Sequence, residues 1–284
     1  MGFGLVTAAV IAMGAVGLTL QVGVTNFVNF AYGDFVTFGA YVTYAVDNAS
    51  GSFATGVICG GLATGLLALL CNLVLFRTFV AQKARVITLV IVTVGLSFIV
   101  QNAVIVIWGT GAYTYNVTIG NALHLGPLIL TPGDLAIIGA SVVLLLGLHA
   151  LLQYTRFGKS LRATSDNADL ALACGIDTGR LVNWTWVISG FFAAVAGVAL
   201  VLETNTLRPT VGFNELFLFF AAVILGGLGR PYGAMLGALI IGLATEIAGM
   251  YVDAAYKSAI AFAILVLVLL FRPEGIFATR GKTD

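Results

Sequence analysis

Charge is what this sequence has least of. Only 9% of its 284 residues are Asp, Glu, Lys or Arg, against about 25% in an ordinary soluble domain. The apolar set makes up 60%, which leaves too little polar material for a water-facing surface, so the outside of the fold must face lipid. The formal net charge is +1. That excludes a basic field for nucleic acid and an acidic interaction tail. Cysteine is scarce: Cys59 and Cys71 lie in apolar runs and Cys174 in a polar loop, with no CxxC pair and no Cys/His cluster, so neither a disulfide framework nor a zinc site is expected. Catalytic and nucleotide-binding patterns are missing as well. Gly158-Lys159-Ser160 has the form of the end of a Walker A loop, but Gln153 stands where its first glycine belongs and no strand precedes it. No Ser/His/Asp set, HExxH or haem pattern is present. The chain is expected to hold no cofactor and bind no ATP of its own, so energy for any work must come from outside it.

What is abundant is glycine, 35 residues against 5 prolines, a ratio suited to closely packed membrane helices. The N-terminus is apolar from Gly2 and lacks the basic start and small-residue cleavage site of a signal peptide, so it is expected to be a retained first span. A crossing needs about 20 apolar residues. Candidate spans are Gly2–Gln21, Asn29–Val46, Phe53–Phe76, Val86–Trp108, Leu135–Tyr154, Leu181–Leu202, Leu216–Leu228, Gly233–Val252 and Ser258–Phe271, of which the seventh and ninth are short. The expected fold is an all-α, polytopic transmembrane bundle of 8–9 spans, with a broken second helix and a helix in a cytoplasmic loop. No linker or composition shift divides residues 1–284, which read as a single transmembrane domain, and no direct repeat stands out.

Ten of the thirteen Lys and Arg fall in three segments: Arg77, Lys83 and Arg85; Arg156, Lys159, Arg162 and Arg180; and Arg272, Arg280 and Lys282. With nine spans all three lie on one side. Basic loops stay in the cytoplasm, so the N-terminus is expected outside and the C-terminus inside. Gly109–Gly133 holds no Lys or Arg, as an external loop should.

Two stretches carry most of the information. The first is the loop at residues 155–180, TRFGKSLRATSDNADLALACGIDTGR. From Ser165 to Cys174, Leu170, Ala171 and the Ala173/Cys174 pair recur at helical spacing, Asp166 and Asp169 lie near the favourable N-terminal end, and Gly175 sits where a C-cap belongs. This predicts one short amphipathic helix at the membrane surface. Either a partner protein covers its apolar face, or it lies on lipid or on the bundle itself.

The second is Thr25, Asn26, Asn29, Tyr32 and Asp34, set between apolar runs with Gly33 among them. Asn26 and Asn29 are three apart and would share a helix face. A glycine beside a carboxylate at membrane depth predicts a broken helix, tolerated only where it lines a cavity or is buried in protein. The group is either a polar wall of a translocation path or hydrogen-bonding glue between helices, and Asp34 could simply start a helix. Glu246 is the other acid inside an apolar span, a functional candidate by default. It could instead pair with a partner's basic residue or be protonated. Gln101, Asn102 and His149 read as structural. The pairs Gly56/Gly60, Gly61/Gly65, Gly229/Gly233 and Gly233/Gly237 allow close helix approach and fit any bundle.

Asp169-Leu170-Ala171, three residues, then Gly175 resembles the EAA-x-x-x-G coupling loop of ABC importer permeases. RFGKSLRA (Arg156–Ala163) and GIDTGRL (Gly175–Leu181) resemble the branched-chain amino-acid permeases of the LivH family. So do VTNFVNFAYGDFVTFGAYVTY (Val24–Tyr44), GGLGRPYGAMLGALIIGLATE (Gly226–Glu246) and LVLLFRPEGIF (Leu267–Phe277), in the family's order along nearly the whole chain. The sequence departs from the family in Tyr32 for His, Asp34 for Glu, and Asp-Leu-Ala for Glu-Ala-Ala. The resemblance implies a non-catalytic permease subunit of an importer in the bacterial inner membrane, moving branched-chain or other hydrophobic amino acids. Similar permeases carry urea or short amides. It further implies a second homologous permease, two cytoplasmic ATP-binding subunits and an extracytoplasmic solute-binding protein as partners, with Asp169, Leu170, Ala171, Gly175 and Ile176 as the ATPase-docking element. A self-sufficient secondary transporter would instead show inverted repeats and several intramembrane acids, and a membrane-embedded enzyme a reactive constellation near an interface.

Overall fold

The computed structural model describes residues 2–82, 84–115, 123–125, 128–249, 251 and 257–271. Arg272, Arg280 and Lys282, the 272–277 part of the C-terminal motif, Lys83, and residues 116–122, 126 and 127 of the loop before residue 131 lie outside the described residues.

Apolar runs free of interior proline give helices throughout. They are α1 (Gly2–Thr25), α2 (Tyr32–Ser50), α3 (Phe53–Cys71), a π-helical turn (Asn72–Phe76) running straight into α4 (Arg77–Ala81), α5 (Val86–Trp108), α6 (Pro132–Tyr154), α7 (Arg156–Asp166), α8 (Ala168–Ala173), α9 (Thr178–Thr204), α10 (Val211–Gly226), α11 (Pro231–Gly249) and α12 (Lys257–Phe271). A small antiparallel hairpin, β1 (Leu123–Leu125) with β2 (Leu128–Leu130), precedes α6. The start of α6 is built by a capping box: Thr131 accepts from the Asp134 amide while Asp134 accepts from that of Thr131, with Pro132 at the first helical position.

Among the described residues, six helices are long and apolar enough to cross a membrane: Gly4–Thr25, Phe53–Ala81, Val86–Trp108, Pro132–Tyr154, Thr178–Thr204 and Pro231–Gly249. Their burial separates pillars from periphery. In their most apolar stretches, 83% of α1 and 78% of α9 is buried, but only 28% of α5 and 22% of α6. The two pillars pack on each other, with α11 against α1 and α2 and α3 against α9. The outer helices present apolar stripes at helical spacing: Ile58, Leu62, Leu66 and Leu70 on α3, and Ile87, Ile91, Val94 and Phe98 on α5, all exposed. These are the surfaces expected to meet acyl chains.

Close packing is set by glycine. A Cβ at Gly212 would sit 2.2 Å from the Gly33 carbonyl oxygen, one at Gly226 2.1 Å from that of Gly233, and one at Gly242 2.5 Å from the Ala8 Cα. The contact of α2 with α10 is pinned by hydrogen bonds: Thr37 donates to the Gly33 carbonyl at 3.2 Å and accepts from the Gly212 amide at 3.0 Å. At the end of the bundle away from the basic loops, Trp108, Tyr41, Tyr44 and Tyr113 form an aromatic cluster. There Tyr113 and Leu207 exchange backbone hydrogen bonds of 3.0 and 2.8 Å, tying the loop after α5 to the one before α10.

Gly212→Val should lower the melting temperature of the detergent-purified protein, with an overpacking cost of roughly 1–3 kcal/mol. Gly95→Ala, whose added methyl would meet nothing within 4 Å, should leave it unchanged; equal melting of all three proteins would show that the α2–α10 contact yields at no cost.

Candidate functional site

α1 stops at Thr25 because the chain turns into the left-handed region at Asn26, φ 56°, a conformation Asn tolerates better than most residues. Residues 26–31 are not helical, and α2 begins at Tyr32. The break expected in the second span therefore lies before its helix, and Gly33 is an ordinary helical residue there to admit α10. Asn26 and Asn29 do not share a helix face. Asn26 is exposed, while Asn29 is fully buried. The Asn29 side chain donates to Gln21 Oε1 at 3.2 Å and accepts from the Ala31 amide at 3.0 Å. It thus fastens the end of α1 to the start of α2 across the break. Thr25, half-buried, returns its hydroxyl to the Gln21 carbonyl at 2.8 Å.

The depth of the break follows from its neighbours. Thr25 shares a cavity with Arg77 and Arg180 at the basic face of the bundle. Asp34, fully buried in the first turn of α2, accepts a hydrogen bond from Ser97, which falls at the middle of α5, a span that begins next to Arg85. In between, the Phe27 ring lies 5.2 Å from that of Phe76 and Phe30 5.2 Å from Phe220. The chain from Thr25 to Tyr32 thus climbs about half of a ~30 Å hydrocarbon core, within the ~20 Å that an extended segment of that length can reach. Non-helical backbone at such depth is stable only where it is buried in protein or lines a polar cavity. Here Phe76, Phe220 and the Gln21–Asn29 pair supply the cover. Tyr32 is fully buried, its hydroxyl against Gly17 on α1.

Glu246 is not part of this cluster. It is half-buried on α11, and its side chain lies against Gly4 near the start of α1. Thr25 is at that helix's far end, about 30 Å away at the α-helical rise. Near Gly4, Thr7 donates to Glu203 at 2.6 Å, so the two acids occupy the end of the bundle opposite the basic loops. Asn102 back-bonds to the Phe98 carbonyl at 2.7 Å, and His149 meets the Tyr232 hydroxyl at 2.9 Å, holding α6 to α11.

The polar loop 155–180 holds two helices where one was expected. Asn167 divides them. Its backbone is extended, and its side chain accepts from the Leu170 amide at 2.9 Å, capping α8; Asn favours such a cap over a helix interior. α7 buries Gly158, Leu161 and Thr164 against its own bundle, through contacts with α6 and α1. α8 does not cover itself so well: Ala171 is buried, but Leu170 and Leu172 are 62% and 60% exposed. Gly175 ends α8 at φ 84°. Its amide bonds to the Leu172 carbonyl and that of Ile176 to the Ala171 carbonyl, both at 3.0 Å, the paired bonds of a Schellman cap. Asp177 then caps α9 through the Arg180 amide at 2.9 Å. Asp169 is exposed in the first turn of α8, and Ile176 is half-buried.

Four residues of this region were not singled out from the sequence. Gln21 was legible as the one amide closing an otherwise apolar helix. Ser97, and the Asn72–Asn183 pair joined at 2.8 Å across the π turn, gave no such signal, since lone small polar residues are common in membrane helices.

Residues 1–269 match the family model described as branched-chain amino acid transport system / permease component. The chain is 30% identical to the high-affinity branched-chain amino acid transport system permease protein LivH of Salmonella typhimurium, over 96% of this chain and 92% of that protein. It is 27% identical to BraD, the permease protein of the same name from Pseudomonas aeruginosa, over 96% and 93%. Among solved structures, PsaBC from Streptococcus pneumoniae in complex with Fab superimposes with a TM-score of 0.53 at 14% identity, over 97% of this chain and 92% of that one, a likeness of fold.

The geometry separates the two asparagines. Asn29→Leu should remove both hydrogen bonds at the break and cost roughly 1–3 kcal/mol, read as a lower melting temperature in detergent. Asn26→Gly, which suits the same backbone, should melt with the parent protein. Equal loss in both variants would mean that Asn29 does not hold the break.

Proposed function

This chain belongs to the permease-component family of branched-chain amino acid transport systems, and from that membership we propose that it is one of two permease subunits of an ATP-driven importer for branched-chain or related hydrophobic amino acids. The observation that carries the proposal is the family match over residues 1–269, in a chain whose helices are apolar enough to cross a membrane.

Nine crossings are the finer reading. α2, α10 and α12 join the six long apolar helices, with α2 reaching the midplane through residues 26–31. The N-terminus is then outside and the loops bearing Arg77 and Arg85, and Arg156 to Arg180, face the cytoplasm of a bacterial cell. α8 is the coupling element. Leu170 and Leu172 remain exposed for a groove on a cytoplasmic ATPase, Asp169 favours the helix start, and Ala171 with the Gly175–Ile176 cap ties the element to the bundle. Two such ATPases would bind and hydrolyse ATP, moving the coupling helices as levers. A second homologous permease would complete the path, and an extracytoplasmic binding protein would supply solute.

Within this chain the path is assigned to the break. Thr25 and Asn26 stand at its cytoplasmic end; Asn29, Tyr32 and Asp34 line or support it up to midmembrane. A path of non-helical backbone and a few polar side chains suits a zwitterion that must pass without being held, because affinity resides in the binding protein. Glu246, at the outer end of the bundle, is placed at the entry side rather than along this wall.

Uptake of labelled leucine into proteoliposomes holding the complete complex tests the reading. Transport should require ATP and the binding protein, and Gly175→Leu, which forces a branched side chain into a left-handed cap, should lower it by at least about tenfold with the complex still assembled. ATP-independent uptake by this chain alone would overturn the importer assignment, and undiminished uptake by Gly175→Leu would remove α8 from the coupling.

A further inference from the structure

Below the break lies a cavity of about 570 Å³, within the range of small-molecule sites. Its walls come from the ends of α1 and α4, the π turn and the start of α9. They differ in exposure. Phe27 and Phe76, 2% and 1% exposed, form an aromatic floor. The Phe76 ring stacks at 5.0 Å on Trp186 behind it. Beside the rings, Asn72 and Asn183 present their bonded amides. At the mouth stand Arg180 and Asp177, 3.6 Å apart, with side chains 78% and 63% exposed. Arg77, also exposed, lines the same rim. Apolar rings, neutral amides and a rim of two arginines and one aspartate suit an apolar α-amino acid: its side chain on the rings, its carboxylate to Arg180 or Arg77 and its ammonium to Asp177. The wall also includes Thr25, so the cavity opens where the non-helical segment reaches the basic face.

We propose that this cavity is a cytoplasm-side binding site for a free α-amino acid with an aliphatic side chain, a station distinct from the midmembrane wall. The proposal rests on the importer reading above and names where in this chain the solute is last held. An acidic phospholipid could reach the same two arginines, but it offers nothing to Asp177 and leaves the aromatic rings to an acyl chain.

The test is equilibrium binding of tritiated L-leucine to the purified complex in lipid nanodiscs, without ATP and without the solute-binding protein. Wild-type complex should bind leucine saturably. Leucinol and isovalerate, which lack the carboxylate and the ammonium respectively, should compete at least about tenfold more weakly than leucine. Arg180→Gln should weaken binding by a similar factor, and Ala81→Trp, which fills the mouth from an exposed position, should abolish it. Wild-type complex that drives ATP-dependent leucine uptake yet binds no leucine here would overturn the site while leaving the importer reading intact. Complex that imports no branched-chain amino acid would instead sink that reading. Binding that both variants keep, or that phosphatidylglycerol but not leucine displaces, would also overturn the site.

Discussion

Backbone-to-backbone contact at glycine is the constraint on which the rest of this molecule depends. Lipid is as apolar as leucine, so helices in a bilayer gain nothing by hiding side chains from it. They gain by approaching closely enough for dispersion and weak polar contacts to add up. At Gly33 against Gly212, Gly226 against Gly233, and Gly242 against Ala8, a single methyl group has no room. These three meetings clamp α2 to α10, α10 to α11 and α11 to α1, a chain of contacts that ends on the pillar formed by α1 and α9.

That rigidity allows irregular backbone elsewhere. An extended segment in hydrocarbon leaves amides and carbonyls unpaired unless something fixed stands over it. Residues 26–31 can leave the helix because α10 and the π turn are held against them, bringing Phe220 and Phe76 onto Phe30 and Phe27. The π turn itself, held to α9 by the Asn72–Asn183 bond, is a second irregularity beside the first. Two departures from helix, in contact through one aromatic pair, lie at the same end of the bundle as the polar loop that carries α8. A displacement of that loop has soft backbone directly above it, whereas the pillars are too tightly packed to deform.

Much of this was legible in the sequence, and the reasons differ by feature. All nine apolar runs became helices with ends shifted by a few residues, because run length and the absence of interior proline decide that much locally. Gly175 was readable as a cap, since a glycine after an apolar-periodic run has few other uses. The division of the loop at Asn167 could have been read from its Asn two residues before an Asp, yet helical spacing across Ser165–Cys174 hid it. The pairing of Asn26 with Asn29 was misleading for the same reason: spacing presumes a helix, and the left-handed turn at Asn26 removes the helix the spacing relies on. The Asp34–Ser97 bond, the π turn and the 30 Å gulf between Glu246 and the break are tertiary facts. Nothing local in α5, α3 or α11 encodes which neighbour each will meet.

The half-depth start of α2 has a consequence for how the protein is made. α2 carries Asp34 and Asp47 within 19 residues and is absent from the helices apolar enough to cross alone. A segment leaving the translocation machinery partitions into lipid by its own hydrophobicity, and an acid within it opposes that, by up to about 2.5–3.5 kcal/mol at the bilayer centre. α2 must therefore wait for company. α1 is already in place when it emerges, but Gly212 and Ser97 arrive only after many more residues are synthesised. The break and the start of α2 are consequently among the last parts of the chain to become properly seated, even though they are encoded near the beginning.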